Sequence, residues 1–280
     1  MILHMISCDV REVEFKGEKI DVGIYKNKNK NKKDVLFLHG LGSNTLDSYS
    51  KTLDKLPQER ICAIDWLGHG ATTKLLRDKD SYGAEYMADY LKTVIDFLID
   101  NDILDTHFFI VAMSMSAIPI AYLYPQYEKN IKKIVFLHPA GMDKKMGYVF
   151  AFFSKYITQN IFFSWFFSYW ILNKKARRVL QKNLKVKNWG VIVSKYASEG
   201  YDLFGHMKET HYIPEKFNKI KKPVLLVCGE RDMIFTRRKY LHFAVEHNWK
   251  VHILGKEEHA LGRGNSDSVA EEIKNFFELV

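Results

Sequence analysis

Cysteine is scarce in this sequence of 280 residues, in which Cys8, Cys62 and Cys228 are the three that occur and no two form a CxxC pair. The odd number argues against a disulfide framework, and Cys62 and Cys228 lie in apolar runs where a thiol usually packs as a small hydrophobic group. Zinc-ligand spacing is absent, as is a positively charged N-terminal region followed by a long apolar run. We therefore expect a cytoplasmic protein that needs no metal and no cofactor.

Acidic residues are outnumbered, because 42 lysines and arginines against 33 aspartates and glutamates give a formal net charge of +9. No basic helix with base-reading character accompanies this excess, so we expect no binding to nucleic acid. Part of the excess lies in the polar run NKNKNKK at residues 27–33, between the apolar segments KIDVGIY and DVLFLHG. This pattern predicts a solvated hairpin loop.

Short apolar runs rich in β-branched residues recur along the chain and predict strands that are buried on both faces of a sheet. The runs are residues 35–38, 61–64, 108–112, 134–137, 224–227 and 251–254. Helical patterns, such as those at residues 85–99 and 269–279, lie between or after them. This alternation predicts an α/β fold with a mostly parallel, doubly wound sheet, whose functional groups gather at the carboxyl ends of the strands.

Three kinds of polar residue follow three of these runs, in the chain order serine, acid, histidine. The serines lie in AMSMSA, the acid in GERD at residues 229–232, and the histidine in GKEEHA at residues 255–260. A serine hydroxyl becomes a nucleophile when a base takes its proton, and the base works best when a carboxylate orients it. The three strand ends therefore favour nucleophilic catalysis.

The stretch IVAMSMSAIPIAY contains two candidate nucleophiles, Ser114 and Ser116. A nucleophile on a sharp turn from strand to helix needs small residues two positions away on either side. Ala112 and Ser116 meet this condition for Ser114, whereas Ser116 would have the β-branched Ile118 as a neighbour. Ser114 is therefore the candidate, and Ser116 is expected to take a structural position.

Five segments, VLFLHGLG, AIDWLGHGATT, VAMSMSA, PVLLVCGERDMI and EEHALG, together resemble the α/β-hydrolase superfamily in its serine-nucleophile branch with a helical cap. The resemblance covers nearly the whole chain. It implies that Ser114 is the nucleophile, Asp232 the acid and His259 the general base. It also implies an oxyanion hole formed by the backbone N–H groups of Leu41 and Met115.

The acid and the base each have competitors in the sequence. Asp143 competes for the role of the acid because some branches of the family place their acid after the preceding strand, here the one ending in HPAG. The acid in GERD is preferred, because it directly follows a strong strand pattern. His242, His247 and His252 fall within helix or strand patterns and are expected at the surface or in packing contacts, whereas His259 lies in a loop.

Residues 142–218 contain no buried-strand pattern, so we assign them to a helical cap inserted into an α/β-hydrolase core of residues 1–141 and 219–280. Polar residues in the middle of the aromatic segment 148–172 argue against a helix that crosses a membrane. The segment that follows, residues 173–187, is strongly basic.

The cap aromatics between Tyr148 and Trp170 have two interpretations. They either pack the cap onto the core or line an apolar pocket for an acyl or aromatic substrate. A weak contact of this aromatic and basic cap with an anionic membrane or an acyl-carrier protein is a further hypothesis.

The sequence therefore predicts a serine hydrolase that cleaves a small apolar ester through an acyl-enzyme on Ser114. Two alternatives stay open. One is a thioesterase or acyltransferase that acts on acyl groups linked to a carrier protein or coenzyme A. The other is a non-catalytic protein that binds small molecules on the same fold.

Overall fold

The computed structural model describes residues 6–27, 33–40, 43–56, 60–72, 83–142, 213–230, 232, 237–255 and 266–279. The strands are β1 (Ser7–Phe15), β2 (Glu18–Lys26), β3 (Asp34–Leu38), β4 (Arg60–Ile64), β5 (Phe108–Met113), β6 (Ile131–Leu137), β7 (Val224–Gly229) and β8 (Lys250–Leu254). The helices are α1 (Thr45–Leu53), α2 (Ala84–Asp100), α3 (Ala117–Tyr127), α4 (Pro214–Phe217), α5 (Arg237–Glu246) and α6 (Ser266–Phe277). The α/β class is confirmed, and every predicted strand run lies within an observed strand.

The eight strands form one sheet in the order β1-β2-β4-β3-β5-β6-β7-β8. β2 runs antiparallel to both of its neighbours, and the other pairs are parallel. The predicted hairpin at residues 27–33 is wrong, because β4 lies between β2 and β3 and these two strands do not pair. The hairpin in this part of the chain joins β1 to β2 through Lys16 and Gly17.

The central strands are buried on both faces, as their continuous apolar sequences require. In β3, Leu36 and Leu38 belong to one hydrophobic cluster, and the alternate residues Val35 and Phe37 belong to a second cluster. Since successive side chains of a strand point to opposite faces, the two clusters lie on opposite sides of the sheet. The parallel register brings the carboxyl ends of β3, β5, β6 and β7 side by side.

The described residues on either side of positions 143–212 meet, because the N–H of Ile213 donates to the carbonyl oxygen of Gly141 at 2.9 Å. Both Met142 and Ile213 are buried in the core. The residues between them, with the predicted cap aromatics and the basic run, lie outside the described residues. Within the described ranges, no helix has the length and apolarity needed to span a membrane.

The Phe136→Ala variant tests the packing of β6 against Phe217 of α4 and against Trp249. Phe136 is fully buried, and its ring centroid lies 5.9 Å from that of Phe217 and 5.8 Å from that of Trp249. The resulting cavity should lower the free energy of unfolding by about 3–5 kcal/mol. Val245→Ala is the control, because this side chain is 80% exposed. Denaturant unfolding measures both, and equal stabilities for the two variants would contradict the described packing.

Candidate active site

Ser114 lies on a sharp turn between β5 and α3. Its φ of +50° places it in the left-handed region, which residues other than glycine occupy at a cost of about 1–2 kcal/mol. A 3-10 turn, Ser114–Ser116, leads directly into α3. The carbonyl oxygen of Ser114 accepts a hydrogen bond from the N–H of Ala140 at 2.9 Å. This bond ties the turn to the segment that follows β6.

The segment after β3 approaches this turn closely. A Cβ atom added to Gly40 would lie 3.2 Å from the Cβ of Ser114 and 3.7 Å from the Cγ of Met113. Any larger residue at position 40 would therefore press against the nucleophile candidate. Leu41, the predicted source of one oxyanion N–H, comes next in the chain and lies outside the described residues. Met115, the predicted source of the other, is buried within the 3-10 turn.

Ser116 has a structural position, as the sequence predicts. Its side chain is fully buried, and its Oγ donates to the carbonyl oxygen of His39 and accepts a hydrogen bond from Trp66 Nε1 at 2.9 Å. The same indole N–H also lies 2.9 Å from the carbonyl oxygen of His39. The hydroxyl of Ser116 therefore ties the start of α3 to the ends of β3 and β4.

Asp232, the predicted acid, lies beyond β7 and contacts His138, for which the sequence predicts no role. His138 directly follows β6, and its Nδ1 lies 2.5 Å from Asp232 Oδ2, with both side chains buried. His138 Nε2 accepts a hydrogen bond from the N–H of Gly229 at 3.1 Å. Because one ring nitrogen accepts, the other carries the proton in a neutral imidazole, so Nδ1–H donates to the carboxylate. The sequence points to a place for His138 in the site only through its position at the end of a strand.

A second buried carboxylate, Asp65, organises the chain after β4. Its Oδ1 accepts from the N–H of Thr45 at 2.8 Å, and its Oδ2 accepts from the hydroxyl of Tyr25 at 2.8 Å and the N–H of Ala71 at 2.9 Å. Three donors thus compensate for the loss of water around a buried charge. Gly70 has a φ of +52°, and a Cβ there would lie 1.9 Å from Asp65 Oδ2.

His39, at the end of β3, is fully buried. Its Nε2 accepts from the N–H of Trp66 at 3.1 Å, so its Nδ1–H donates to the carbonyl oxygen of Gly40 at 2.8 Å. Burial lowers the pKa of His39 far below its ordinary value, and the neighbouring His69 adds to this effect. The uncharged His39 ring therefore holds the chain next to Ser114 through these two hydrogen bonds.

The structure also locates the three histidines that are expected at the surface or in packing contacts. His242 lies in α5 with a 76% exposed side chain, 3.3 Å from Glu246. His247 stacks on Phe243 with the ring centroids 4.0 Å apart, and His252 lies in β8. Their predicted surface or packing positions are confirmed. The predicted base, His259, and the competing acid, Asp143, lie outside the described residues, so their assignments stay predictions.

A family model of the alpha/beta hydrolase fold matches residues 34–259. This span covers most of the chain and includes the strand ends that surround Ser114. The chain therefore belongs to the α/β-hydrolase family. A search of curated proteins finds no match.

Solved structures share this fold at low sequence identity. A thermophilic esterase from Thermogutta terrifontis with malate bound has a TM-score of 0.70 and 11% identity, over 97% of this chain and 98% of that chain. The enzyme MGS-M2 from a Medee basin deep-sea metagenome library has a TM-score of 0.71 and 17% identity, over 97% and 98%. The thioesterase domain from the curacin biosynthetic pathway has a TM-score of 0.63 and 17% identity, over 95% and 99%.

The packing around Asp65 can be tested by replacing two glycines that both lie in the left-handed region. Gly70 and Gly17 both have positive φ, but a Cβ at Gly17 meets nothing within 4 Å. Gly70→Ala should therefore cost about 1–3 kcal/mol more in unfolding free energy than Gly17→Ala, because its methyl group would overlap the carboxylate. Denaturant unfolding of both variants measures the difference. Equal losses would contradict the close approach of Gly70 to Asp65.

The neutral state of His39 predicts a pH dependence of stability. The unfolded chain takes up a proton at His39 as the pH falls below about 6.5, whereas the folded state resists protonation. The contribution of His39 to stability is therefore full above that pH and falls by up to about 1.4 kcal/mol for each pH unit below it.

Between pH 7 and pH 5, the free energy of unfolding should fall by less in His39→Asn than in the wild type. The amide of asparagine can still donate to the carbonyl oxygen of Gly40 but does not titrate. His242→Asn, changed at an exposed side chain, is the control for loss of a histidine. A wild-type slope in His39→Asn would contradict this assignment.

Proposed function

We propose that the chain is a serine hydrolase that cleaves a carboxylic ester with an apolar acyl or aromatic group. The observation that carries the proposal is the left-handed backbone of Ser114 at the carboxyl end of a central strand. Strain of this kind persists where the surrounding structure over-determines it, and a nucleophile presented at the tip of a strand-to-helix turn is one reason for keeping it. Membership of the α/β-hydrolase family supports the same reaction class.

In the proposed reaction, Ser114 Oγ attacks the ester carbonyl carbon while His259 takes the hydroxyl proton. Asp232 stabilises the imidazolium that forms. The N–H groups of Leu41 and Met115 hold the negative oxygen of the tetrahedral intermediate. His259 then returns the proton to the departing alkoxide, which leaves as an alcohol. Water, activated by the same histidine, attacks the acyl-enzyme, releases the acid and restores the serine hydroxyl.

Close approach of Gly40 to Ser114 supports this arrangement of the oxyanion donors. A carbonyl group bound over Ser114 needs room beside the serine Cβ, and a glycine at position 40 supplies that room. Leu41 follows Gly40 directly in the sequence. Met115 follows the nucleophile within the 3-10 turn, so its N–H belongs to the same sharp bend.

A thioester is the second candidate substrate. The same chemistry cleaves an acyl thioester, and the basic run at residues 173–187 suits an acidic carrier protein or the phosphates of coenzyme A. The structural likeness to the curacin thioesterase domain is compatible with this alternative. Parallel kinetics with acyl esters and acyl thioesters of matched chain length separate the two. The proposal expects esters with apolar or aromatic acyl groups to have a higher kcat/KM than the matched thioesters.

The nucleophile can be tested by labelling with a fluorophosphonate, which modifies activated serines. Wild-type protein should label, and Ser114→Ala should not, with ester hydrolysis falling on the order of a millionfold in kcat. Ser116→Ala is the matched control and should still label, although it loses the hydrogen bonds to His39 and Trp66. Failure of the wild type to label would favour a non-catalytic binding protein. Undiminished labelling of Ser114→Ala would remove Ser114 from the mechanism.

A further inference from the structure

His138 and Asp232 form a buried pair that joins the ends of β6 and β7. The imidazole donates from Nδ1 to Asp232 Oδ2 and accepts at Nε2 from the N–H of Gly229. Protonation of Nε2 would turn that nitrogen from an acceptor into a donor facing another donor. The Gly229 contact therefore keeps His138 neutral with its proton on Nδ1, directed at the carboxylate.

The orientation of the His138 ring is fixed by its surroundings. The side chain is fully buried, and the backbone N–H of His138 donates to the carbonyl oxygen of Val227 at 3.0 Å. On its other side the ring meets Tyr240 edge-on, with centroids 6.5 Å apart, and the Tyr240 hydroxyl donates to the carbonyl oxygen of Pro139 at 3.1 Å. The donor aimed at Asp232 is thus held by contacts from β7 and α5.

The described residues near the pair include a further titratable group and an ion pair. The Cys228 thiol of β7 interacts with Asp232, and burial raises the pKa of Cys228 to about 12, so the thiol is uncharged at neutral pH. Arg237 of α5 lies 3.8 Å from Glu230, and both side chains are half exposed. A hydrogen bond to an ionised carboxylate stabilises the charged form and restricts its rotation.

We propose that His138 is a positioning residue for catalysis. Its Nδ1–H holds Asp232 ionised and oriented, so that the carboxylate can align His259 with the hydroxyl of Ser114. This inference rests on the proposed function. His138 takes no proton from substrate or nucleophile and acts only through Asp232, so its loss should lower kcat and leave KM nearly unchanged.

Two amide variants separate this role from a purely structural tie between strands. In His138→Asn the side-chain amide lies near the former Nδ1 and can donate to Asp232, whereas in His138→Gln the amide lies near the former Nε2 and can serve Gly229. The proposal expects His138→Asn to keep kcat within about tenfold of the wild type and His138→Gln to lose about a hundredfold. Thermal unfolding identifies which proteins are folded, and kcat is compared among those.

A double-mutant cycle with Asp232→Asn gives the second measurement. If His138 acts through Asp232, adding His138→Gln to Asp232→Asn should change kcat by no more than about twofold, because the carboxylate is already absent. The proposal would be overturned by a wild-type kcat in His138→Gln, by a lower kcat in His138→Asn than in His138→Gln, or by a full multiplicative loss in the double variant.

Fluorophosphonate labelling of the wild type distinguishes failure of this inference from failure of the proposed function. Labelled wild-type protein with independent effects of His138 and Asp232 overturns the positioning role alone. Unlabelled wild-type protein overturns the proposed serine hydrolase function itself.

Nitrogen-15 NMR of the His138 ring supplies a readout besides activity. A neutral Nδ1–H tautomer that persists from pH 8 to about pH 5 and shifts in Asp232→Asn supports the pair, and titration of His138 across that range overturns it.

Discussion

The left-handed backbone of Ser114 is the constraint around which the ends of the central strands are arranged. A residue with a Cβ pays for this conformation, so contacts from neighbouring segments must offset its cost. The N–H of Ala140 binds the carbonyl oxygen of Ser114, and Gly40 leaves room for its Cβ. Ser116, two residues further along the chain, forms hydrogen bonds with His39 and Trp66. The strained residue is therefore surrounded by segments that follow β3, β4 and β6.

Two neutral imidazoles connect the carboxyl ends of the central strands through hydrogen bonds. His39 accepts the N–H of Trp66 and so joins the end of β3 to the chain after β4, and His138 accepts the N–H of Gly229 and joins β6 to β7. Each ring uses one nitrogen as acceptor and the other as donor, which leaves a buried polar side chain fully satisfied. Parallel strands pair through backbone bonds only up to their ends, and these side chains extend the connection into the loops. A rigid edge of this kind suits a site whose groups must be positioned in advance.

The sequence predicts the central sheet well because parallel strands buried on both faces read as continuous apolar runs. β1 was not predicted, since its exposed polar residues and its position at the edge of the sheet give no such run. The predicted hairpin before β3 was wrong because neighbours along the chain need not pair, and β4 intervenes. Ser114 and Ser116 could be separated from local steric requirements alone. The contact between His138 and Asp232 could not, because it depends on the pairing of β6 with β7, ninety-odd residues apart in sequence.

His39 and His138, two of the three buried histidines among the described residues, also bear on which histidine can act as the base. A general base must offer an unprotonated nitrogen to the serine hydroxyl. His39 and His138 already use their unprotonated Nε2 atoms as acceptors for backbone N–H groups, and their Nδ1 atoms carry protons. Either ring could take the proton of Ser114 only by giving up a buried backbone hydrogen bond and placing a charge where burial opposes it. These two rings are therefore poor bases for Ser114, which agrees with the proposal that His259, in a separate loop of the sequence, is the base.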